Sequence, residues 1–392
     1  MKKLGRWARQ FGVARAVCLV LLVALVELRF ADPRPLQEVR LRTFDLYQVL
    51  RPRVQTARPV VIVDIDEASL KEIGQWPWPR TTLADLVTRL TGLGAVAIGF
   101  DSVFPEPDRM SPGAIAASVR DLDDVTRQKL RSLPSNDEVF ADAIGHSRVV
   151  LGQSVTDKKT DQPQNNTPEA GYGVIAPKGA PDPLGFLPPY PTLVHNIPIL
   201  EQAAAGRGII TATEEHDGIV RRAPVIMRVG DTFVPSLSLE MLRVATGSNS
   251  ALIRTDVAGI QSVNFTRFAV PTDRQGRLWV HFNHYDPQRY VSAKDVLRGG
   301  VPADRVQGRL VLIGTSAIGL QDTKTTPIDA VLPGVEVHAQ ILESIFTNAL
   351  LSAPAWTTAL EVGAALLVGL AIIVAAPLLS AVTVIALGAG LI

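Results

Sequence analysis

The hydrophobic pattern divides this chain into two apolar ends and a mixed middle. Near the start, Ala16 to Val26 is an unbroken apolar run. It lies inside a segment, 11–30, that spans a bilayer if its flanking charges snorkel. From 357 onward the chain is almost uninterrupted hydrocarbon. Residues 357–376 predict one transmembrane helix, Pro377 breaks it, and 378–392 begin a second. A chain that stops inside such a segment reads as the front part of a longer membrane protein. Between the ends, 36–350 has the alternation of a water-soluble domain.

Within that domain the pattern predicts an α/β fold with a mixed, partly parallel sheet and flanking helices. Val60-Val61-Ile62-Val63 is a β-branched run of the kind that forms a strand buried on both faces. Leu83, Leu86, Val87 and Leu90 recur at helical spacing, with Thr81-Thr82 as the expected cap. Residues 95–100 form a second buried strand. This strand–helix–strand unit predicts two parallel, neighbouring strands. Residues 113–147 read as amphipathic helix, 149–152 as a third strand, and 153–198 as a proline-rich excursion. Asp217-Gly218 and 273–276 mark expected hairpins, Ser236 an expected helix cap, and 310–314 another buried strand. The last helix of the domain is expected at 335–350.

Charge changes the picture mainly by exclusion. Lys+Arg 39 against Asp+Glu 38 gives a net charge of +1 with no long single-sign run, which argues against nucleic acid as a partner. The single cysteine, Cys18, lies in the first apolar run, so neither a disulfide nor thiol chemistry serves the domain. Lys2, Lys3, Arg6, Arg9 and Arg15 precede that run and no acid does. The positive-inside rule then puts residues 1–10 in the cytoplasm. No small-x-small cleavage site follows, so 11–30 reads as a retained anchor rather than a signal peptide. Trp356 suits an interfacial position, and Glu361, at the start of the last span, reads as an interfacial or intramembrane carboxylate.

The candidate chemistry gathers at strand ends. Asp64 and Asp66 close the first strand and Asp101 the second, so the three converge on one sheet edge, where ligands of open α/β sheets bind. Three readings stay open. One is a phosphohydrolase loop with Asp64 as nucleophile and Asp66 as acid/base, although Ala68 departs from that pattern. The second is a hard cation held by the three carboxylates, and the third is helix capping and loop bracing. The rigid corner Trp76-Pro77-Trp78-Pro79-Arg80 is either a ligand wall or an edge packed on the core. His281 and His284 are wrongly spaced for a metal pair on a strand, and His338 reads as a partly buried lone histidine.

Taken together these blocks resemble the second type of CHASE domain, the sensory extracellular domains of bacterial cyclases and histidine kinases. The matching residues are Asp64-x-Asp66 with Ser69-Leu70, Gly74-x-Trp76-Pro77-Trp78-Pro79-Arg80, and Phe100-Asp101 with Phe104-Pro105-Glu106-Pro107. Asp217-Gly218 with Arg221-Arg222 and Pro235-Ser236-Leu237 follow. The last block runs through Leu312-Ile313-Gly314-Thr315-Ser316, Asp322, Thr326-Pro327 and 333–339. Glu215 departs from the pattern, standing where the family often has an aspartate.

The resemblance implies an inner-membrane, multi-pass receptor with an anchor, a periplasmic sensor over 36–350, further spans and a cytosolic output domain. That output is most often a class III adenylate cyclase making cAMP, otherwise a protein kinase. It implies a homodimer, a lipid bilayer and a periplasmic ligand or envelope protein as partners, and no cofactor or metal. Asp64, Asp66, Trp76, Trp78, Arg80, Asp101 and Asp322 are the expected ligand-binding residues. Glu336, His338 and Glu361 are the expected relay, acting through 335–350 helices paired between two copies. No catalytic residue is expected in the chain.

Overall fold

The computed structural model describes residues 2–156, 158, 171–320, 322–352 and 356–375. Two compact units result. Met1–Leu46 with Ala353–Ile392 make one, and Tyr47–Ser352 make the other. In chain order the helices used below are α1 (Lys2–Ala31), α2 (Arg34–Leu50), α3 (Glu67–Ile73), α4 (Arg80–Gly92), α5 (Asn136–Gly145), α6 (Leu237–Thr246), α7 (Ala293–Arg298), α8 (Gly334–Phe346) and α9 (Trp356–Ala375). The strands of the central sheet are β1 (Val60–Ile65), β2 (Ala97–Phe100), β3 (Val149–Thr156), β4 (Thr192–Val194), β5 (Gly206–Ile209), β6 (Tyr290–Ser292) and β7 (Leu310–Thr315).

The sheet runs β6-β1-β7-β2-β3, all parallel, with β5 parallel along Val150–Gln153 and β4 antiparallel along Ser154–Thr156. β1 and β2 are parallel, as expected, but they are not neighbours. β7 is inserted between them, pairing Val60–Ile65 on one side and Ala97–Phe100 on the other. All three are equally apolar runs, so local pattern alone does not decide which two lie together.

Alternation along β1 sends its residues into two cores, as a strand buried on both faces requires. Val61, Val63 and Ile65 join Leu83, Leu86, Val87 and Leu90 of α4, Phe140 and Ile144 of α5, and Ala293 and Val296 of α7. Val60 and Ile62 face the other way, with Leu237, Met241 and Leu242 of α6 and Val335, Ala339 and Leu342 of α8. The second core continues under smaller sheets, the largest joining Gly171–Ile175, Ser250–Asp256, Gly259–Phe265 and Phe268–Pro271. The fold is therefore mixed α/β with a partly parallel sheet.

Several local expectations are corrected. α4 begins at Arg80, after Pro79, with no side-chain cap, because Pro79 presets the entry. Residues 113–147 divide into Pro112–Ser118, Asp124–Arg131 and α5. Asp217-Gly218 and 273–276 are true turns, closed by the Glu215 amide on the Ile219 carbonyl and the Asp273 amide on the Arg277 carbonyl, but beyond those bonds the chain pairs elsewhere. Val220 donates to the Thr325 carbonyl, while Arg277–Trp279 pairs with Arg222–Pro224. Ser236 caps α6 as expected, accepting from the Leu239 amide.

In the unit made by the chain's two ends, α1 contains the whole 11–30 segment in one helix. Among the described residues, Trp356–Val374 is the one helical stretch long and apolar enough to cross a membrane. Pro377 and the expected helix over 378–392 lie outside the described residues.

Candidate functional site

The expected ligand residues divide into three groups rather than one cluster. In the first, Asp64 is buried and both its oxygens are engaged. Oδ1 accepts from the Ser316 amide at 3.0 Å and Oδ2 from the Ser316 hydroxyl at 2.6 Å. Burial pushes this carboxyl up to about 6, with Asp66 adding to the rise and the Ser316 bonds opposing it. Asp66 caps α3 through the Ser69 amide at 2.7 Å and also accepts from Ser292 Oγ at 3.0 Å. These two carboxylates brace the loops at the strand ends. The Ser316 amide, which follows β7, is given to Asp64.

In the second group Asp101 closes β2, its amide donating to the Ile313 carbonyl of β7. Burial pushes its carboxyl up to about 8, with Asp322 adding and Lys324 opposing. Lys324 Nζ lies 3.7 Å from Asp322 and 3.3 Å from Glu214. Among the described residues no three metal-ligating side chains come together, so Asp64, Asp66 and Asp101 do not form the cation set weighed from sequence.

The third group is the Trp-Pro corner, which borders a cleft of about 310 Å³. Its walls are Trp76, Pro77, Trp78 and Arg80 on one side and 102–109 on the other. None of the four expected aspartates is among these walls. Trp78 is buried and donates Nε1–H to the Gly74 carbonyl at 2.8 Å, while Trp76 is half-buried and meets Trp78 edge to face. The corner is thus both packing and wall: Trp78 is core and Trp76 faces the cleft. Arg80, buried at the start of α4, lies 4.3 Å over the Phe104 ring and 3.6 Å from Asp137.

The expected relay residues are placed differently again. α8 is enclosed within its own domain, with every residue from Gly334 to Ile345 buried. Over 334–345 no face of the helix is left for a partner copy, while 346–350 are exposed or half-buried. His338 Nε2 lies 3.2 Å from the Ile210 carbonyl, which only accepts, so Nε2 carries the proton and Nδ1 accepts from Ser238 Oγ at 2.8 Å. Burial drives this imidazole down to about 4 and keeps it neutral. Glu361 lies in the other unit, where it accepts from Arg29 Nη2 at 2.6 Å and Nε at 3.0 Å.

Glu336 belongs to a network that sequence reasoning missed. Arg289, Tyr290 and Gln340 all donate to it, and Arg289 also binds Glu343 through Nε and Nη2 at 3.1 and 3.0 Å. Arg53 completes the set, donating through Nη2 to Glu343 at 2.5 Å and to Gln340 at 2.6 Å. Burial pushes the Glu336 carboxyl up while Arg289 opposes the shift. Buried charges persist only when paired and hydrogen-bonded, and these are both. The available signal was Glu336, Gln340 and Glu343 at helical spacing in an otherwise apolar helix. Such a polar stripe, if buried, calls for cations from elsewhere.

Neither a curated protein nor a solved structure matches the chain significantly. The family model of the CHASE2 domain matches residues 17–376, nearly the whole chain. CHASE2 domains are extracytoplasmic in membrane proteins, and the motif blocks, the mixed α/β sheet and the membrane-length helix all accord with that match. The chain belongs to the CHASE2 family, the extracellular sensory domains of signalling receptors.

Proposed function

We propose that this chain is the sensing and membrane portion of a homodimeric inner-membrane receptor whose cytosolic output is a class III adenylate cyclase. In this reading α1 is the N-terminal anchor, α9 the first span after the sensor, and the domain over 36–350 is periplasmic. The carboxyl edge of the sheet, with Asp64, Asp66, Asp101 and Asp322, and the Trp76–Arg80 corner form the receiving region.

One observation carries the relay. Arg53, three residues past the end of α2, is joined by a buried ion pair and a hydrogen bond to α8, which ends ten residues before α9. The segments that enter and leave the domain are therefore tied to each other at its core. A ligand that binds two states of the domain unequally shifts their populations, and this tie delivers the shift to both segments together. A protein kinase output would use the same tie.

A periplasmic phosphohydrolase using Asp64 and Asp66 is not favoured. A nucleophile needs a free oxygen, and both Asp64 oxygens are held by Ser316. The test is to express the whole receptor gene in a cyclase-deficient bacterium and measure cAMP. Accumulation that is lost in Glu343→Gln supports the reading. A receptor that inserts in the membrane yet produces no cAMP under any envelope condition sinks the cyclase assignment.

A further inference from the structure

The Trp76–Arg80 cleft has a property that packing does not explain. Arg80 is 7 % exposed, yet among the described residues its guanidinium makes no hydrogen bond. Its Nε is enclosed and unbonded, and so is the facing Oδ1 of Asp137, 3.6 Å away. A guanidinium carries five N–H donors in a fixed fork. Leaving the enclosed Nε donor unsatisfied costs about 1–3 kcal/mol, and buried polar groups are nearly always paired. The fork matches the oxygens of a carboxylate or a phosphoryl group, which it grips in a bidentate manner.

Of the neighbouring acids, Asp137 offers one oxygen, Oδ1, at 3.6 Å, beyond hydrogen-bond reach, and the other acid oxygens are already bonded. Asp108 already accepts from the Arg80 amide, the Met110 amide and Asn136 Nδ2, each at 2.8 Å. Asp137 Oδ2 accepts from the Asp108 amide at 2.9 Å. Asp108 is thus saturated by its neighbours, and Asp137 is left with Oδ1 alone toward Arg80. The Phe104 ring centroid lies 4.3 Å from the guanidinium carbon, and both residues line the cleft. The cleft they line, of about 310 Å³, is at the small end of ligand pockets. Its other walls are the half-buried Trp76 ring and the stiff apolar edges of Pro77, Pro105 and Pro107, with Glu106 and Arg109 exposed at the rim.

We propose that this cleft takes a small organic acid, its carboxylate or phosphoryl group seated on the Arg80 guanidinium and its apolar part against Trp76. The proposal rests on the reading of the domain as a sensor and names the class of compound it receives. The Asp137 pair at 3.6 Å is then a loose partner that the acid displaces or bridges, and the organic part is limited to roughly the size of a single ring with short substituents.

The test uses the full chain in detergent micelles, with benzoate and phenyl phosphate as probes and benzamide as the uncharged match. Tryptophan fluorescence reports Trp76, and the Arg Nε–H resonance lost in Arg80→Lys reports Arg80. At least one acid is expected to saturate both signals below about 50 mM, with benzamide at least about tenfold weaker. Arg80→Gln is expected to lose about tenfold or more in affinity. Trp76→Leu, which keeps an apolar side chain against Trp78, is expected to weaken binding several-fold in a protein that still unfolds cooperatively.

No saturable response to either acid overturns the proposal. So does benzamide binding as tightly as benzoate, or a folded Arg80→Gln that binds like the parent. Cross-linking between copies through Leu360→Cys, in a Cys18→Ser background, separates this proposal from the sensor reading. Acids that bind without changing the cross-links leave the ligand class standing and sink the relay. Cross-links that respond to envelope extract while neither acid binds do the reverse.

Discussion

Arg53 and Glu343 stand 290 positions apart in the chain and 2.5 Å apart in space, with both side chains withdrawn from water. Removing one member leaves the other as an uncompensated buried charge, which typically costs about 3–5 kcal/mol. Arg53→Met alone and Glu343→Leu alone are each expected to destabilise the domain by that order. The double variant should cost less than the sum, because the apolar pair leaves fewer stranded charges. Urea unfolding of the four proteins measures the coupling. Strict additivity would remove the pair from any account of the core.

Gly314 sits where β7 passes under α8, and a Cβ placed there lies 2.5 Å from Val335 Cβ. Gly314→Ala therefore pushes helix from sheet and should cost about 1–3 kcal/mol through overpacking. Val335→Ala in the same chain should return part of that loss, although it costs stability by itself. A melting temperature for Gly314→Ala equal to the parent's would show that the approach is not tight.

The pH dependence has a definite sign. Asp64 and Asp101 titrate in the folded domain at about 6 and about 8, above the ordinary carboxyl value of 3.8. The folded state then binds protons that the unfolded state does not, so these groups add stability below pH 4 and lose it as pH rises through 6 and 8. Melting temperature is expected to climb as pH falls from about 8 to 5. Asp101→Asn should flatten the upper part of that climb. A parent whose stability is level or falling across the same window would contradict the burial of these carboxyls.

In the unit made by the chain's ends, a Cβ on Gly369 would lie 2.6 Å from Leu22 Cδ1, so α1 and α9 approach closely there. Arg29 and Glu361 bond farther along the same pair of helices. Cysteines at 22 and 369, in a Cys18→Ser background, are expected to form a disulfide in membranes, with lower yield after Glu361→Gln. Yields that ignore Glu361 would reduce its bond with Arg29 to a surface contact.

The sheet strands were legible because a fully buried parallel strand needs an unbroken apolar run, and Val60–Val63 and 310–314 are such runs. Their lateral order was not, because β7 fits between β1 and β2 through contacts some 210–250 positions away in sequence. The carboxyl edge was legible as a place, while the division of labour along it was not. Asp64 and Asp66 look alike in sequence, and only the fold shows one bracing the Ser316 loop and the other capping α3. Glu343 escaped notice for a related reason. Its helix reads as apolar, and the arginines that make it tolerable come from Arg53 and Arg289, far off in the chain.

The walls of the cleft and the members of the buried network share no residue. Both sets contain buried side chains, Trp78 and Phe104 in the first and Arg53, Arg289 and Glu343 in the second, so each is costly to change. Because they share no partner, the stability effects of substitutions in the two are expected to add. Either place can therefore be altered by mutation while the other keeps its own contacts.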